Sequence, residues 1–153
     1  AEVVFRSTQY LNDADAQAIA VYLRALPQRA IAPAEVVKPS AATLERGAKV
    51  YEQHCAQCHG DNGEGKPGAF PALAGNRAVV LQDPTNLVRV VLQGGYLPAT
   101  AGNPRPHGMP PFMQVLGDDD VAAVSTFVRN AWGNQAPAVG TIGVYRARER
   151  RGS

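Results

Sequence analysis

Cysteine and histidine are scarce in this chain, and that scarcity excludes more than the composition supplies. Among 153 residues there are two cysteines and three histidines. A zinc site needs about four ligands, typically with a second Cys or His pair downstream. Here only His107 lies outside the stretch that holds the others, which argues against zinc. No apolar run is long enough to cross a bilayer as a helix. No signal peptide opens the chain, so it reads as a processed mature protein or an excised piece. An excess of one charge is also missing. The net charge is +2, with residues 1–42 at zero, residues 43–133 at −1 and residues 134–153 at +3. A core so near neutrality gives nucleic-acid binding no footing.

What the chain does have is concentrated in Tyr51-Glu-Gln-His-Cys55-Ala-Gln-Cys58-His59-Gly-Asp-Asn-Gly63. Cys-x-x-Cys-His is the spacing by which haem is joined covalently to protein. Cys55 and Cys58 would each form a thioether with a haem vinyl group, and His59 would ligate the iron through an imidazole nitrogen. One helical turn carries both sulfurs and aims the next side chain at the metal. A thioredoxin-like redox pair would follow a strand in a βαβ unit, but the residues before Cys55 read as helix. A plain disulfide would leave His59 and the following glycines unexplained.

Four segments follow from composition and periodicity: 1–26, 27–42, 43–133 and 134–153. In the first, Leu11 to Arg24 can be laid on Leu116 to Arg129 at a constant offset of 105. Asp13 and Asp118 stand where a helix N-cap is wanted, with Asp15 and Asp120 in the first turn. Apolar residues then recur at helical spacing, Ile19, Tyr22, Leu23 and Leu26 in one copy, Val124, Phe127, Val128 and Ala131 in the other. If the second copy closes a domain around the Cys-His motif, the first is the closing helix of an earlier domain whose own motif is missing. Its apolar face is expected either to pack on the chain's own domain or to pair with a second chain. Pro27, Pro33 and Pro39 make 27–42 an extended linker.

Ser40 or Thr43 can cap the next helix, along which Gly47, Val50, Tyr51, His54, Cys55 and Cys58 fall broadly on one side. Gly47 would let the helix at about 119–132 approach closely. His54 reads as a surface or packing residue. Gly60 to Gly68 is a turning loop, and with no preceding strand and no Gly-Lys-Ser/Thr ending it is no phosphate cradle. Phe70 to Gly75 returns apolar residues toward one haem face. Asp83-Pro84 opens a helix that Gly94-Gly95 stops. The loop 96–108 leads to Met109-Pro-Pro-Phe112-Met113. A thioether is a soft ligand suited to haem iron opposite histidine. Met109 is favoured, because a long loop precedes it and two prolines rigidify the backbone that presents it. Met113 adjoins Phe112, Val115 and Leu116 and reads as core, and His107 is the remaining rival. After a helix ending near Trp132, residues 134–153 show no clear period and read as a basic tail, finishing Arg146-Ala-Arg-Glu-Arg-Arg151, an electrostatic contact or a solvated end.

Gly47-x-x-x-Tyr51-x-x-x-Cys55-x-x-Cys58-His59-Gly60, Phe70-Pro71-x-Leu73-x-Gly75, Met109-Pro-x-Phe112 and the helix to Trp132-Gly133-Asn134 together resemble a class I cytochrome c domain. More narrowly they are similar to the last domain of the three-haem cytochrome c subunits of membrane-bound dehydrogenases for alcohols, aldehydes and sugar acids, and segment 8–26 to the end of the middle domain. The resemblance implies an all-α fold around one covalent haem c, with an extra N-terminal helix. It implies His59 and Met109 as axial ligands and the Pro71 carbonyl as acceptor for the His59 ring N–H. The expected role is an electron carrier, not an enzyme, periplasmic at the outer face of the inner membrane. Redox proteins would be its partners: a dehydrogenase subunit on one side, a quinone-linked or terminal-oxidase acceptor on the other. The alternative is a peroxidase-like enzyme or gas sensor with an open sixth iron site and His107 as its acid–base group.

Overall fold

Residues 2–27 and 38–149 are described by the structure, a computed structural model. They divide between two units, Ala1–Ala34 with Tyr96–Pro106, and Glu35–Gly95 with His107–Ser153. The first carries α1 (Glu2–Arg6), a 3-10 turn at Thr8–Tyr10, and α2 (Asp13–Ala25). The cap of α2 is Asn12, whose side chain accepts the Asp15 N–H at 2.8 Å. Asp13 is therefore the first helical residue and not the cap. In the second copy of the repeat Gly117 takes the cap position and Asp118 opens the helix, so the two helices start at matching residues. Helix α2 buries none of its residues, and Ile19, Tyr22, Leu23 and Leu26 are all exposed. That exposure holds among the described residues of the first unit.

The proline-rich stretch between the units has residues 28–37 outside the described residues. Helix α3 (Ala41–His54) starts just after it, and of the two expected caps Ser40 is the one used, its hydroxyl accepting the Thr43 N–H at 3.1 Å. Next come α4 (Ala56–His59), α5 (Thr85–Gln93), the two-residue strands β1 (Gly95–Tyr96) and β2 (Gly108–Met109), α6 (Asp118–Val128), and α7 (Thr141–Glu149). Asp83 accepts the Thr85 N–H at 2.9 Å as α5 begins, and Gly94 closes that helix at φ +71°. A positive φ is nearly free for glycine and costly for any residue with a Cβ.

The core of the second unit is built where α3 crosses α6. A Cβ placed on Gly47 would lie 2.3 Å from the Ala123 carbonyl oxygen and 2.6 Å from the Phe127 Cβ. Only glycine permits that approach. Around the crossing Val50, Tyr51, Val121, Val124 and Val128 are buried, and Tyr51 lies 5.5 Å from Phe127 between ring centroids. At the solvent rim Arg46 reaches Asp120 at 2.8 Å, an exposed pair of the kind that adds little stability. Helix α6 ends at Val128, four residues before the expected Trp132. The Asn130 and Ala131 N–H groups both fold back on the Phe127 carbonyl, and Trp132 adopts φ +53°.

Two residues of this unit escape any reading by hydrophobic period. Arg129 is fully buried, with Nη1 donating to the Val79 and Leu81 carbonyls at 2.8 Å each and Nε to the Pro137 carbonyl at 3.1 Å. Burial holds its guanidinium below the ordinary arginine range. The other is Arg148, in a stretch read above as tail. Residues 141–149 are instead the helix α7, docked through the buried Val144 and Ala147, while Arg150 and Arg151 lie outside the described residues.

The Gly47 contact makes a prediction in which two terms oppose. Gly47→Ala gains about 1 kcal/mol of helix propensity, but the atoms met are a backbone oxygen and a side chain's root, neither able to swing away. Overpacking of that sort costs about 1–3 kcal/mol, and the helix-propensity gain does not cover it. The urea midpoint of Gly47→Ala is expected below the wild type's; a higher midpoint would show that the helices separate at no cost.

Candidate functional site

The Cys-His turn is held from three sides. Within it the Cys55 N–H donates to the Tyr51 carbonyl at 2.8 Å, and the Cys58 and His59 N–H groups both donate to the Cys55 carbonyl, at 3.2 and 3.0 Å. Cys55 and Cys58 are partly buried free thiols on one turn. Burial, then the neighbouring Cys58, pushes the Cys55 thiol up to about 11. A thioether at that position has no proton to lose, so alkylation removes the ionisation that burial opposes. From below, the Tyr51 hydroxyl donates to the Gly60 carbonyl at 2.6 Å. From beyond, the Gly65 N–H returns to the His59 carbonyl at 2.7 Å.

His59 is buried, and its Nδ1 lies 2.9 Å from the Pro71 carbonyl oxygen. A carbonyl can only accept, so Nδ1 carries the proton and Nε2 is left as the basic nitrogen. The loop that presents Pro71 is itself secured. The Gly63 carbonyl accepts the Leu73 and Ala74 N–H groups at 2.7 and 2.9 Å. Gly63 has φ +65°, and a Cβ there would sit 2.5 Å from the Trp132 ring. The Trp132 indole in turn stacks at a tilt on Tyr51, with centroids 4.9 Å apart. Asn134 is buried and completes the frame: its Nδ2 donates to the Leu73 and Val128 carbonyls at 3.0 and 2.7 Å, and its Oδ1 accepts the Gly75 N–H at 3.0 Å. Of these supports, Asn134 had no role assigned from sequence. Its signal was no more than a place in the Trp132-Gly133-Asn134 run, after the end of α6 at Val128.

Met109 stands on a separate strap. It is partly buried and packs against the core cluster that also includes Leu92 and Val91. A Cβ on Gly94 would lie 2.4 Å from its carbonyl oxygen, so α5 ends in glycine where this strap passes. Further along, the Phe112 N–H donates to the Val91 carbonyl and the Met113 N–H to the Leu92 carbonyl, each at 3.0 Å. Met113 also packs partly buried against the core. The rival His107 is exposed, its ring 4.9 Å from that of Phe70. His54 is partly buried edge-on to Phe112 at 5.9 Å. The structure therefore joins Cys55, Cys58, His59 and Pro71 directly and brings Met109 to the same core by way of α5.

Two free thiols on one turn, followed by an imidazole whose outer nitrogen is already engaged, fit a haem held by two thioethers and one histidine. The fold and this donor set define a protein that binds haem covalently. Sequence comparison agrees with the geometry: the family profile described as cytochrome c matches residues 44–132, and the chain belongs to that family. The family's cofactor is covalent haem c. The chain is 40% identical over 152 residues to the cytochrome c subunit of the quinone alcohol dehydrogenase of Gluconacetobacter polyoxogenes, covering 92% of this chain and 32% of that subunit. It is 35% identical over 149 residues to the gluconate 2-dehydrogenase cytochrome c subunit of Pantoea cypripedii, covering 92% of this chain and 34% of the relative. Cytochrome c-552 of Thermus thermophilus matches at 38% over 91 residues, 58% of this chain and 69% of its own length. The chain thus spans about a third of the length of the dehydrogenase subunits that it matches.

Asn134 supplies the test of the frame. Asn134→Leu keeps the branching and number of heavy atoms and removes three hydrogen bonds, two of whose partners lie in the loop that carries Pro71. Unpaired buried groups cost about 1–3 kcal/mol each, less where water can re-enter. A loss of about 2–3 kcal/mol is expected in chemical unfolding, with faster amide exchange at Gly75. Unchanged exchange there would mean that the loop is held by other contacts.

Proposed function

We propose that this domain passes single electrons through one covalent haem whose iron is held by His59 and Met109. The observation that carries the reading is the Cys55–His59 turn with its His59 Nδ1 within 2.9 Å of the Pro71 carbonyl. When bound, haem c supplies a one-electron couple between ferric and ferrous iron. The chain's part is then static. Cys55 and Cys58 anchor the ring, and the Pro71 carbonyl fixes the imidazole plane and raises its basicity. Met109 offers a soft sulfur that favours the ferrous state and so raises the potential. Val88, Val91 and Leu92 of α5 are buried in the core against which Cys55 and Met109 pack, and apolar residues there would help to exclude water. No group needs to move, as suits a carrier and not an enzyme.

The dehydrogenase names of the relatives support a partner of that class, with electrons arriving from a periplasmic dehydrogenase subunit and leaving toward a quinone-linked or terminal-oxidase acceptor at the outer face of the inner membrane. Among the described residues no helix is long and apolar enough to cross a membrane. The repeat supports a larger assembly as well. In α6, Ala123 and Phe127 meet Gly47 of α3; their counterparts in α2, Ala18 and Tyr22, are exposed. Helix α2 is accordingly read as the closing helix of a preceding haem domain, whose Cys-His helix would cover it. That reading is preferred to pairing with a second copy of the chain.

Two measurements test the proposal. Denaturing mass spectrometry of protein made with the haem-attachment machinery should give the polypeptide plus one haem, and a bare polypeptide mass would refute covalent attachment. Met109→Ala should open the iron to carbon monoxide, abolish the red-edge absorption band of thioether-bound ferric haem and lower the potential, while Met113→Ala should leave all three largely in place. The opposite pattern would transfer the ligand role to Met113.

A further inference from the structure

Arg148 of α7 gathers the backbone between the Met109 strap and α6. Its Nη1 donates to the Met113 carbonyl, its Nη2 to the Leu116 carbonyl at 2.9 Å, and its Nε to Asp118 Oδ1 at 2.7 Å. Asp118 is the first residue of α6, so one guanidinium ties both ends of the connection. The side chains of Arg148 and Asp118 are each about a quarter exposed, at 22% and 26%, sheltered enough that solvent does not cancel the pair. Helix α7 can serve as an anchor because Val144, with no exposure, and Ala147 are sunk in the core.

From the other side α5 grips the same strap through the Phe112 and Met113 N–H groups. Met113 thus has its N–H held by α5 and its carbonyl by α7. The residue read as the ligand, Met109, lies four positions upstream, beyond two prolines that transmit position with little slack. Ferric iron holds a thioether more weakly than ferrous iron does, and a loop that opens locally takes its ligand away without global unfolding.

We propose that Arg148 is a positioning residue, a clamp from the C-terminal helix that keeps the Met109 strap closed and the thioether on ferric iron. A planar fork with fixed donors suits three acceptors at once, and charged donors make the stronger bonds. The proposal rests on Met109 as the sixth ligand.

The test follows the red-edge ferric band and the far-ultraviolet helix signal of the haem-loaded protein through urea and through alkaline pH. In Arg148→Ala the band should vanish well before the helices melt, with the equilibrium constant for its loss raised about tenfold or more, as expected when charge-assisted bonds are removed. Arg148→Lys should shift the band in the same direction by less, because an ammonium is a single point of donation. It decides the matter alone if the alanine variant does not fold. Val50→Ala, which hollows the α3–α6 crossing and leaves α7 and the fork in place, should move both signals together. Equal shifts of band and helix signal in both Arg148 variants would make the residue merely structural and overturn the clamp. A wild-type ferric spectrum without the band, or a band that survives Met109→Ala, would instead overturn the ligand assignment beneath it.

Discussion

The close crossing of α3 and α6 at Gly47 is the contact on which the rest depends. Because the helices touch there with almost no side chain between them, Tyr51, one turn further along α3, meets Phe127 and Trp132 together, at 5.5 and 4.9 Å. That cluster buries the inner face of the haem-attachment turn, and the Tyr51 hydroxyl spends its hydrogen bond on Gly60 just beyond His59. Burial, first among several causes, raises the ionisation of that phenol above its ordinary range, so it stays a donor across any physiological pH. A bulkier residue at position 47 would lift α6 and with it the aromatic floor under the site.

From that floor the support passes outward through backbone atoms. Trp132 fills the space that glycine leaves at Gly63, Gly63 accepts from Leu73 and Ala74, and the loop so fixed carries Pro71 to His59. Asn134 closes the circuit to the end of α6. His59 is thus oriented by a chain of short, mostly main-chain contacts, which have few alternative arrangements. This rigidity matters to a carrier, since less structural change between two oxidation states means a smaller barrier to exchanging an electron.

Much of this was legible because chemistry demanded particular residues at fixed spacing. That Cys55, Cys58 and His59 share one turn could be read from their spacing, Gly47 from its place on an amphipathic face, and Gly94 from its position at the end of an apolar period. Cap positions were read one residue late at Asp13 and Asp118, because Asp is equally at home in the cap and in the first turn, where the helix dipole favours it. The end of α6 was overrun since Phe127, Val128 and Ala131 continue a helical period past the point where Trp132 turns away. Helix α7 was missed for a different reason. Its sequence buries only two small apolar residues, Val144 and Ala147, and much of its docking is done by Arg148, a residue that sequence alone assigns to the surface. Arg129 hid in the same way, its buried partners being carbonyl groups that carry no signature of side-chain type.

Helices α2 and α6 sharpen the point. They share a start register and an apolar period 105 residues apart, yet α6 is largely buried and α2 not at all. Amphipathic period specifies that a helix has a face to bury; it does not specify the surface that does the burying. For α6 that surface is fixed by a glycine in another helix, Gly47, whose only contribution is an absent side chain. A cover for α2 would need the same device, a helix with a gap opposite Ala18 and Tyr22, because the Tyr22 ring stands where Phe127 stands in the second copy. The specificity of such a contact lies in shape at one point and not in total apolar area, and that is why two faces of similar hydrophobicity can meet different ends in one chain.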